Sequence, residues 1–373
     1  MQELKLGLNT SYPAPTAAAA TKTSAAENER LRDKKVRDLM VDKRRLVEVP
    51  YTASLAHTMN TLVANQVVAV PVAAPPGQWI GAGGSMIMES DKQTGVVRKH
   101  YIVIVTMLDI LAHIAGDDQM NGGNDDPSDL DKNMSVPVSS IIGQCLEGLS
   151  LWTLNPNTSV VDCMEVLSKG IHLALVPLNS LMENISGVEL VESGPIYRML
   201  TQMDMLKFLK ENTSQLHDII SRSVREIGAI NENVYAITGG TKVNDAIKCV
   251  RATMLNAVPI VVASNSLEED SKQIINGKGK KLMGTFSATD LRGCHLSALQ
   301  TWLPLSALEF TEKREIASCH DESPLAEVMD KAVMKHVHRV WVVDEEGFLV
   351  GLVSLTDMIR VIRSSLMSDS PVV

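Results

Sequence analysis

Apolar and polar positions alternate along this chain in an order that recurs four times. Each round opens with apolar residues at i, i+4 and i+7, the spacing that covers one face of an α-helix. The four sets are Leu55/Met59/Leu62, Val160/Met164/Leu167, Val243/Ile247/Val250 and Leu325/Met329/Ala332. Thr52, Thr158, Thr241 and Ser323 stand just ahead as expected N-caps, and Pro324 suits a first helical position. A short apolar run follows each helix: Val68–Val72, Leu173–Pro177, Ala257–Val262 and Arg339–Val343. These runs are rich in β-branched residues and predict buried strands. After a loop comes a second run: Tyr101–Val105, Ile196–Leu200, Leu282–Phe286 and Leu349–Val353.

Each round closes on [Ser/Thr]-x-x-Asp at the start of a further apolar helix. The copies are Thr106-Met-Leu-Asp109, Thr201-Gln-Met-Asp204, Ser287-Ala-Thr-Asp290 and Ser354-Leu-Thr-Asp357. Four copies at the same place in the same succession define an internal repeat. The rounds differ in length mainly between their two strands, in polar or glycine-rich stretches at 77–99, 179–194 and 264–281. Surface loops absorb such insertions at small entropic cost. The fourth round has the shortest loop, Asp344-Glu-Glu-Gly347, which reads as a tight turn.

The expected organisation is a disordered tail over 1–35, rich in Ala, Thr and Ser, followed by repeat 1 over 36–116. An acidic linker over 117–137 separates it from repeat 2 over 138–213, repeat 3 over 214–300 and repeat 4 over 301–368. Of 373 residues, 45% are hydrophobic but only 3% aromatic, so the cores must be built from aliphatic residues. A net charge of −9 argues against a nucleic-acid binder. The five cysteines form no Cys-x-x-Cys pair, which points to a reducing compartment, cytoplasmic or nuclear. No signal peptide or membrane-spanning run is expected.

The βαββα repeat with its terminal [Ser/Thr]-x-x-Asp resembles the CBS domain. The fourth copy carries the fullest match, in His338-Arg-Val-Trp-Val-Val-Asp344, Gly347 and Gly351-Leu-Val-Ser-Leu-Thr-Asp-Met-Ile359. Four copies resemble the gamma regulatory subunits of the AMP-activated kinase family. Tyr51-Thr-Ala-Ser-Leu and the long first-repeat loop look more like the plant gamma-like subunits of the related sucrose-nonfermenting-type kinase. The resemblance implies an α/β fold of two Bateman modules in a flat disk, with adenine nucleotides (AMP, ADP or ATP) in clefts between repeats. It implies a kinase alpha catalytic subunit and a beta scaffold subunit as partners, and no catalysis by this chain.

The resemblance places His338 and Arg339 on phosphate and Asp357 on ribose, with Ser354 and Thr356 assisting. His172 takes the matching histidine position in the second copy, and Asp109, Asp204 and Asp290 match Asp357. Two readings of each aspartate stand side by side: a carboxylate for ribose hydroxyls beside a helix N-terminus, or the acidic partner of a capping box. The chain departs from the family where basic residues are common, carrying Val68, Leu173 and Met203. Arg98, Lys99, His100 and Lys207 are candidates to substitute for them.

Other chemistry finds little support. Gly81-Ala-Gly-Gly-Ser85 lacks the Gly-Lys-[Ser/Thr] ending of a phosphate loop, and Gly277-Lys-Gly-Lys-Lys281 reads as a solvated loop. Cys294-His295 and Cys319-His320 fit no zinc template, and no nucleophile elbow exists. The expected function is a non-catalytic, nucleotide-sensing kinase subunit. The alternatives are a CBS scaffold that has lost sensing, favoured by the missing basic residues, and an enzyme or transporter carrying CBS repeats.

Overall fold

The computed structural model describes residues 31–75, 79–80, 86–87, 100–116, 127–142, 144, 151–178, 196–263, 272–312 and 314–368. Every round of the sequence pattern folds into the same small sheet, in which a short first strand runs parallel to the central strand and the last strand runs antiparallel to it. In unit 1 the strands are Val49–Pro50, Ala69–Ala73 and Tyr101–Thr106. In unit 2 they are Trp152–Thr153, Leu173–Pro177 and Tyr197–Thr201. Unit 3 uses Tyr235–Thr238, Ala257–Val261 and Leu282–Ser287, and unit 4 uses Ser318–Cys319, Arg339–Val343 and Leu349–Ser354. Unit 3 gains an unexpected fourth strand, Ile275–Asn276, inside the stretch read as a loop. In unit 4 the expected tight turn is present: Gly347 adopts a φ of 85°, and Asp344 Oδ1 accepts from the amides of Glu346 and Phe348.

The helices between strands span Leu55–Ala64, Val160–Leu167, Val243–Ala252 and Leu325–Lys335. Their twelve patterned apolar residues are each no more than 1% exposed, so the 3.6-residue period marks the buried face correctly. The caps lie nearer the helices than expected. Ser54 and Ser159, not Thr52 and Thr158, accept from the amides of His57 and Asp162 at 3.1 and 3.0 Å. The other two helices start from Lys242 and Pro324 without a side-chain cap; Thr241 and Ser323 are buried in the turns before them.

After the [Ser/Thr]-x-x-Asp motif, helices run over Met107–Gly116, Gln202–Glu211 and Leu355–Ser368. The third copy instead makes only a short 3-10 turn, Ala288–Leu291, which ends before Gly293 at a φ of 86°. The backbone turns extended at Arg292, with a ψ of 126°, and left-handed Gly293 completes the turn away from the helix that the apolar pattern alone would continue.

A unit this small cannot bury both faces alone, so units share cores. Helices of units 1 and 3 bury one common core, and helices of units 2 and 4 bury another. The sheets of units 3 and 4 meet through Ala236, Trp341 and Leu352, and those of units 1 and 2 through Ala69, Ile104 and Leu173. Each unit thus touches two others, and the four close a ring of two sheet-paired modules.

Two connector expectations change. Leu31 is fully buried and Lys34 accepts from the amide of Val160, so the expected tail over 1–35 is already packed on unit 2 from residue 31; residues 1–30 lie outside the described set. Pro127–Ser135, within the expected linker, is a helix whose Met134 joins the core of units 1 and 3. The burial of Met134 is reinforced just after the helix, where the Leu55 amide donates to Val136 O at 2.9 Å and Val138 and Ile141 join the same core.

Candidate functional site

Strand register fixes the equivalent positions in the four units. Thr106, Thr201, Ser287 and Ser354 pair across the sheet with Ala69, Leu173, Ala257 and Arg339. The residues just before these are Val68, His172, Asn256 and His338. Val68 therefore falls in line with the two histidines, and Ala69 is the unit-1 counterpart of Arg339. Apolar strand starts sit beside the motif in three units, and only unit 4 places a guanidinium there.

The four aspartates occupy equivalent places. In each, Oδ2 accepts from the backbone amide of the preceding Ser or Thr, at 2.8 Å for Asp109 and Asp204, 2.7 Å for Asp290 and 3.1 Å for Asp357. In units 1, 2 and 4 the aspartate amide returns a 3.2 Å bond to the Ser or Thr hydroxyl. The capping arrangement is thus present, and it uses only Oδ2. Cations approach three of the carboxylates: Lys43 Nζ at 2.6 Å from Asp204, Arg314 Nε at 3.2 Å from Asp290 and Arg360 at 3.4 Å from Asp357. Burial pushes the Asp290 carboxyl up to about 6, with Arg314 and the Ser287 amide pulling it down.

A cavity of about 320 Å³ opens where units 2, 3 and 4 meet. Unit 4 contributes His338, Arg339, Leu352, Ser354 and Thr356, and unit 2 contributes His172 and Gln202. Unit 3 supplies Asn231, Asn233 and Tyr235 from the approach to its first strand, and Leu255 and Asn256 from the approach to its second. The structure thus brings together five of the residues singled out in the sequence: His172, His338, Arg339, Ser354 and Thr356. None of the four motif aspartates is among the lining residues: Asp357 directly follows Thr356 in the chain, and Asp109, Asp204 and Asp290 belong to the other units.

The rings of His172 and His338 face each other edge-on, with centroids 6.4 Å apart. Arg339 Nη1 donates to the carbonyl of Ala257, its own counterpart in unit 3, at 2.7 Å. Desolvation pushes the Arg339 guanidinium down to about 10, against the pull of the Asp357 carboxylate. Gln202 is 1% exposed and donates to Leu167 O at 2.9 Å and Thr356 Oγ1 at 2.8 Å. The side-chain oxygen of Asn256 is enclosed and takes no hydrogen bond within the protein.

Sequence reasoning missed Gln202, Asn256 and the Asn231–Tyr235 wall. Aligning the repeats would have found Asn256, because it holds the position of His338. The wall gave no signal, since it comes from a segment outside the repeating motif. The family departures have a packing explanation. Val68 and Leu173 join an apolar cluster with Leu151 and Met199 between the sheets of units 1 and 2, and Met203 packs on the core of units 2 and 4. His100 and Lys207 are not among the cavity-lining residues, and Arg98 and Lys99 lie outside the described set.

Among the described residues no group of three or more metal-ligating side chains occurs, and Cys163, Cys249, Cys294 and Cys319 are buried and outside any disulfide. Among those same residues no helix is long and apolar enough to cross a membrane.

Four βαββ units closed in a ring, with a polar cleft among them, define a four-repeat CBS protein. The CBS domain family model matches residues 310–364. Over 352 residues the chain is 61% identical to the SNF1-related protein kinase regulatory subunit gamma-like PV42a of Arabidopsis thaliana, covering 92% of this chain and 98% of that one. The PV42b protein of the same plant is 58% identical over 357 residues, again covering 92% of this chain and 98% of its own length. The crystal structure of protein MJ1225 from Methanocaldococcus jannaschii shares the fold, with a TM-score of 0.58 at 16% identity over 88% of this chain and 99% of that chain. The chain belongs to the gamma-like regulatory subunit family of SNF1-related protein kinases.

Proposed function

We propose that this chain is a non-catalytic subunit of a SNF1-type kinase complex, assembling with alpha and beta subunits in the cytosol or nucleus. It senses adenine nucleotide in the cleft among units 2, 3 and 4. The observation that carries this reading is the convergence on one cavity of His172, His338, Arg339, Ser354 and Thr356. Two imidazoles, a guanidinium and the Thr356 hydroxyl supply donors for phosphate oxygens, while the Ser354 hydroxyl gives its proton to Asp357 Oδ2. Asp357 keeps Oδ1 outside its cap, where it accepts a long 3.4 Å bond from Arg360 and is suited to ribose hydroxyls. Leu255 and Leu352 offer apolar surface to a base, and the enclosed oxygen of Asn256 offers an acceptor to an exocyclic amine. AMP, ADP and ATP compete for the cleft, and differing affinity in two states of the complex conveys energy status to the kinase.

Calorimetry with AMP and ATP on the purified chain tests this. Binding is expected in the wild type and a clear loss in Arg339→Ala; equal affinity in the two removes the assigned phosphate site. A second reading, a ring-shaped scaffold without nucleotide sensing, draws support from the apolar packing of Val68, Leu173 and Met203. Co-purification with alpha and beta subunits, with no nucleotide uptake by the complex, distinguishes it.

A further inference from the structure

Three of the four segments that lead into a unit's first strand fall within the described residues, and two of them bring a cation onto the motif aspartate of the unit sheet-paired with theirs. Lys43, ahead of Val49–Pro50 of unit 1, sits 2.6 Å from Asp204 of unit 2. Arg314, ahead of Ser318–Cys319 of unit 4, sits 3.2 Å from Asp290 of unit 3. The segment ahead of Tyr235–Thr238 of unit 3 brings the neutral Asn231 and Asn233 toward unit 4, and here the cavity opens. Where the leading segment carries a cation, that cation pairs with the partner aspartate; where it carries asparagine, Asp357 instead meets Arg360 of its own helix, at 3.4 Å, and a cavity opens beside Thr356.

Resting on the nucleotide reading above, we propose that Lys43 and Arg314 are specificity-determining residues. They are tethered cations of this chain that pair with Asp204 Oδ2 and Asp290 Oδ1, crowd a ribose away from units 2 and 3, and leave the unit-4 cleft as the nucleotide site among these three. A lysine or arginine brings a full positive charge to the carboxylate, whereas a ribose hydroxyl brings an uncharged donor to the same ion. The tether also keeps the cation at high local concentration, which a free ligand must overcome. Both cations are anchored. Arg198 Nε donates to Lys43 O at 3.0 Å, and the Arg314 amide donates to Thr311 O at 2.8 Å. The acceptors are well enclosed, with side chains 20% exposed for Asp204 and 8% for Asp290.

The test is AMP titration of the full chain, with stoichiometry as the readout. The Lys43→Ala/Arg314→Ala double variant is expected to take up additional, weaker-bound AMP beyond the wild-type stoichiometry. An unchanged stoichiometry in the double variant overturns the proposal. A second arm uses no bound nucleotide: the rate of Lys43 acylation by an amine-reactive reagent, followed by mass spectrometry, should rise several-fold in Asp204→Asn. An unchanged rate also overturns the proposal, because Lys43 is then not held on Asp204. If wild-type chain binds no AMP, the nucleotide reading fails and the acylation arm alone decides whether the unit-2 carboxylate is self-occupied. In a wild type that binds AMP, Lys43 should acylate at the same rate with and without it; acceleration by AMP means that nucleotide displaces the lysine, and the proposal falls.

Discussion

Gln202 Nε2 donates to Thr356 Oγ1 at 2.8 Å, joining the motif helix of unit 2 to that of unit 4 at the edge of the cleft. The same nitrogen also donates to Leu167 O, so one buried amide serves two acceptors across a unit boundary. Gln202→Leu leaves both acceptors without this donor. It should lower stability by about 1–3 kcal/mol, read as a reduced melting temperature, and should weaken AMP binding because Thr356 loses its anchor. An unaltered melting temperature would show that the bond contributes nothing.

Arg339 is the guanidinium that the register places beside the motif hydroxyl of unit 4. Arg339→Ala should weaken AMP by about 1.5–3 kcal/mol, roughly tenfold to a hundredfold. Arg339→Lys should recover only part, because an ammonium cannot reach phosphate and the Ala257 carbonyl with one planar fork. Isothermal titration separates the three proteins.

Gly351 faces unit 3 at close range. A Cβ there would lie 2.5 Å from Ile230 Cγ2 and 2.9 Å from Asn231 O. Asn231 also exchanges two backbone hydrogen bonds with Leu352, of 2.8 and 2.9 Å. Gly351→Ala should therefore displace the wall of the cleft, reducing AMP affinity while the far-ultraviolet circular dichroism stays that of the wild type.

Asp290 predicts a pH effect. Its carboxyl is pushed by burial from an ordinary 3.8 to about 6. Between those values the folded chain holds the proton and the unfolded chain does not, so this group's contribution is full below the lower value and lost as pH rises through the higher. The loss amounts to roughly 2–3 kcal/mol. Melting temperatures of wild type and Asp290→Asn, compared from acid to neutral pH, should show the wild type losing more; parallel curves would contradict the shift.

Leu173 is 8% exposed within the apolar contact between the sheets of units 1 and 2. Leu173→Arg restores the family's common residue but buries an unpaired charge, so it should destabilise the chain by several kcal/mol without gaining phosphate affinity. Thermal melting and AMP titration of the variant check both halves.

Much of the fold was legible because the repeat imposes the same period four times. The central strands Leu173–Pro177 and Arg339–Val343 fall where β-branched runs place them, and the helix faces are those the apolar spacing marks. The early end of the third motif helix was not legible, because the turn at Arg292 and Gly293 overrides an apolar pattern. In the cleft, His338, Arg339, Ser354 and Thr356 were found because they lie within one repeat. Gln202 and Asn256 come from other units, and nothing local in the sequence says that they face unit 4.

The sequence by itself determined the unit: strand order, helix faces and the placement of four aspartates at the ends of four motifs, all consequences of side-chain periodicity and local capping chemistry. The tertiary structure decided which unit stands beside which, and so which carboxylate meets Lys43, which meets Arg314 and which borders an open cavity. Those outcomes depend on contacts between residues more than a hundred positions apart in the case of Lys43 and Asp204. Neither periodicity nor propensity encodes such contacts; packing of shared cores does.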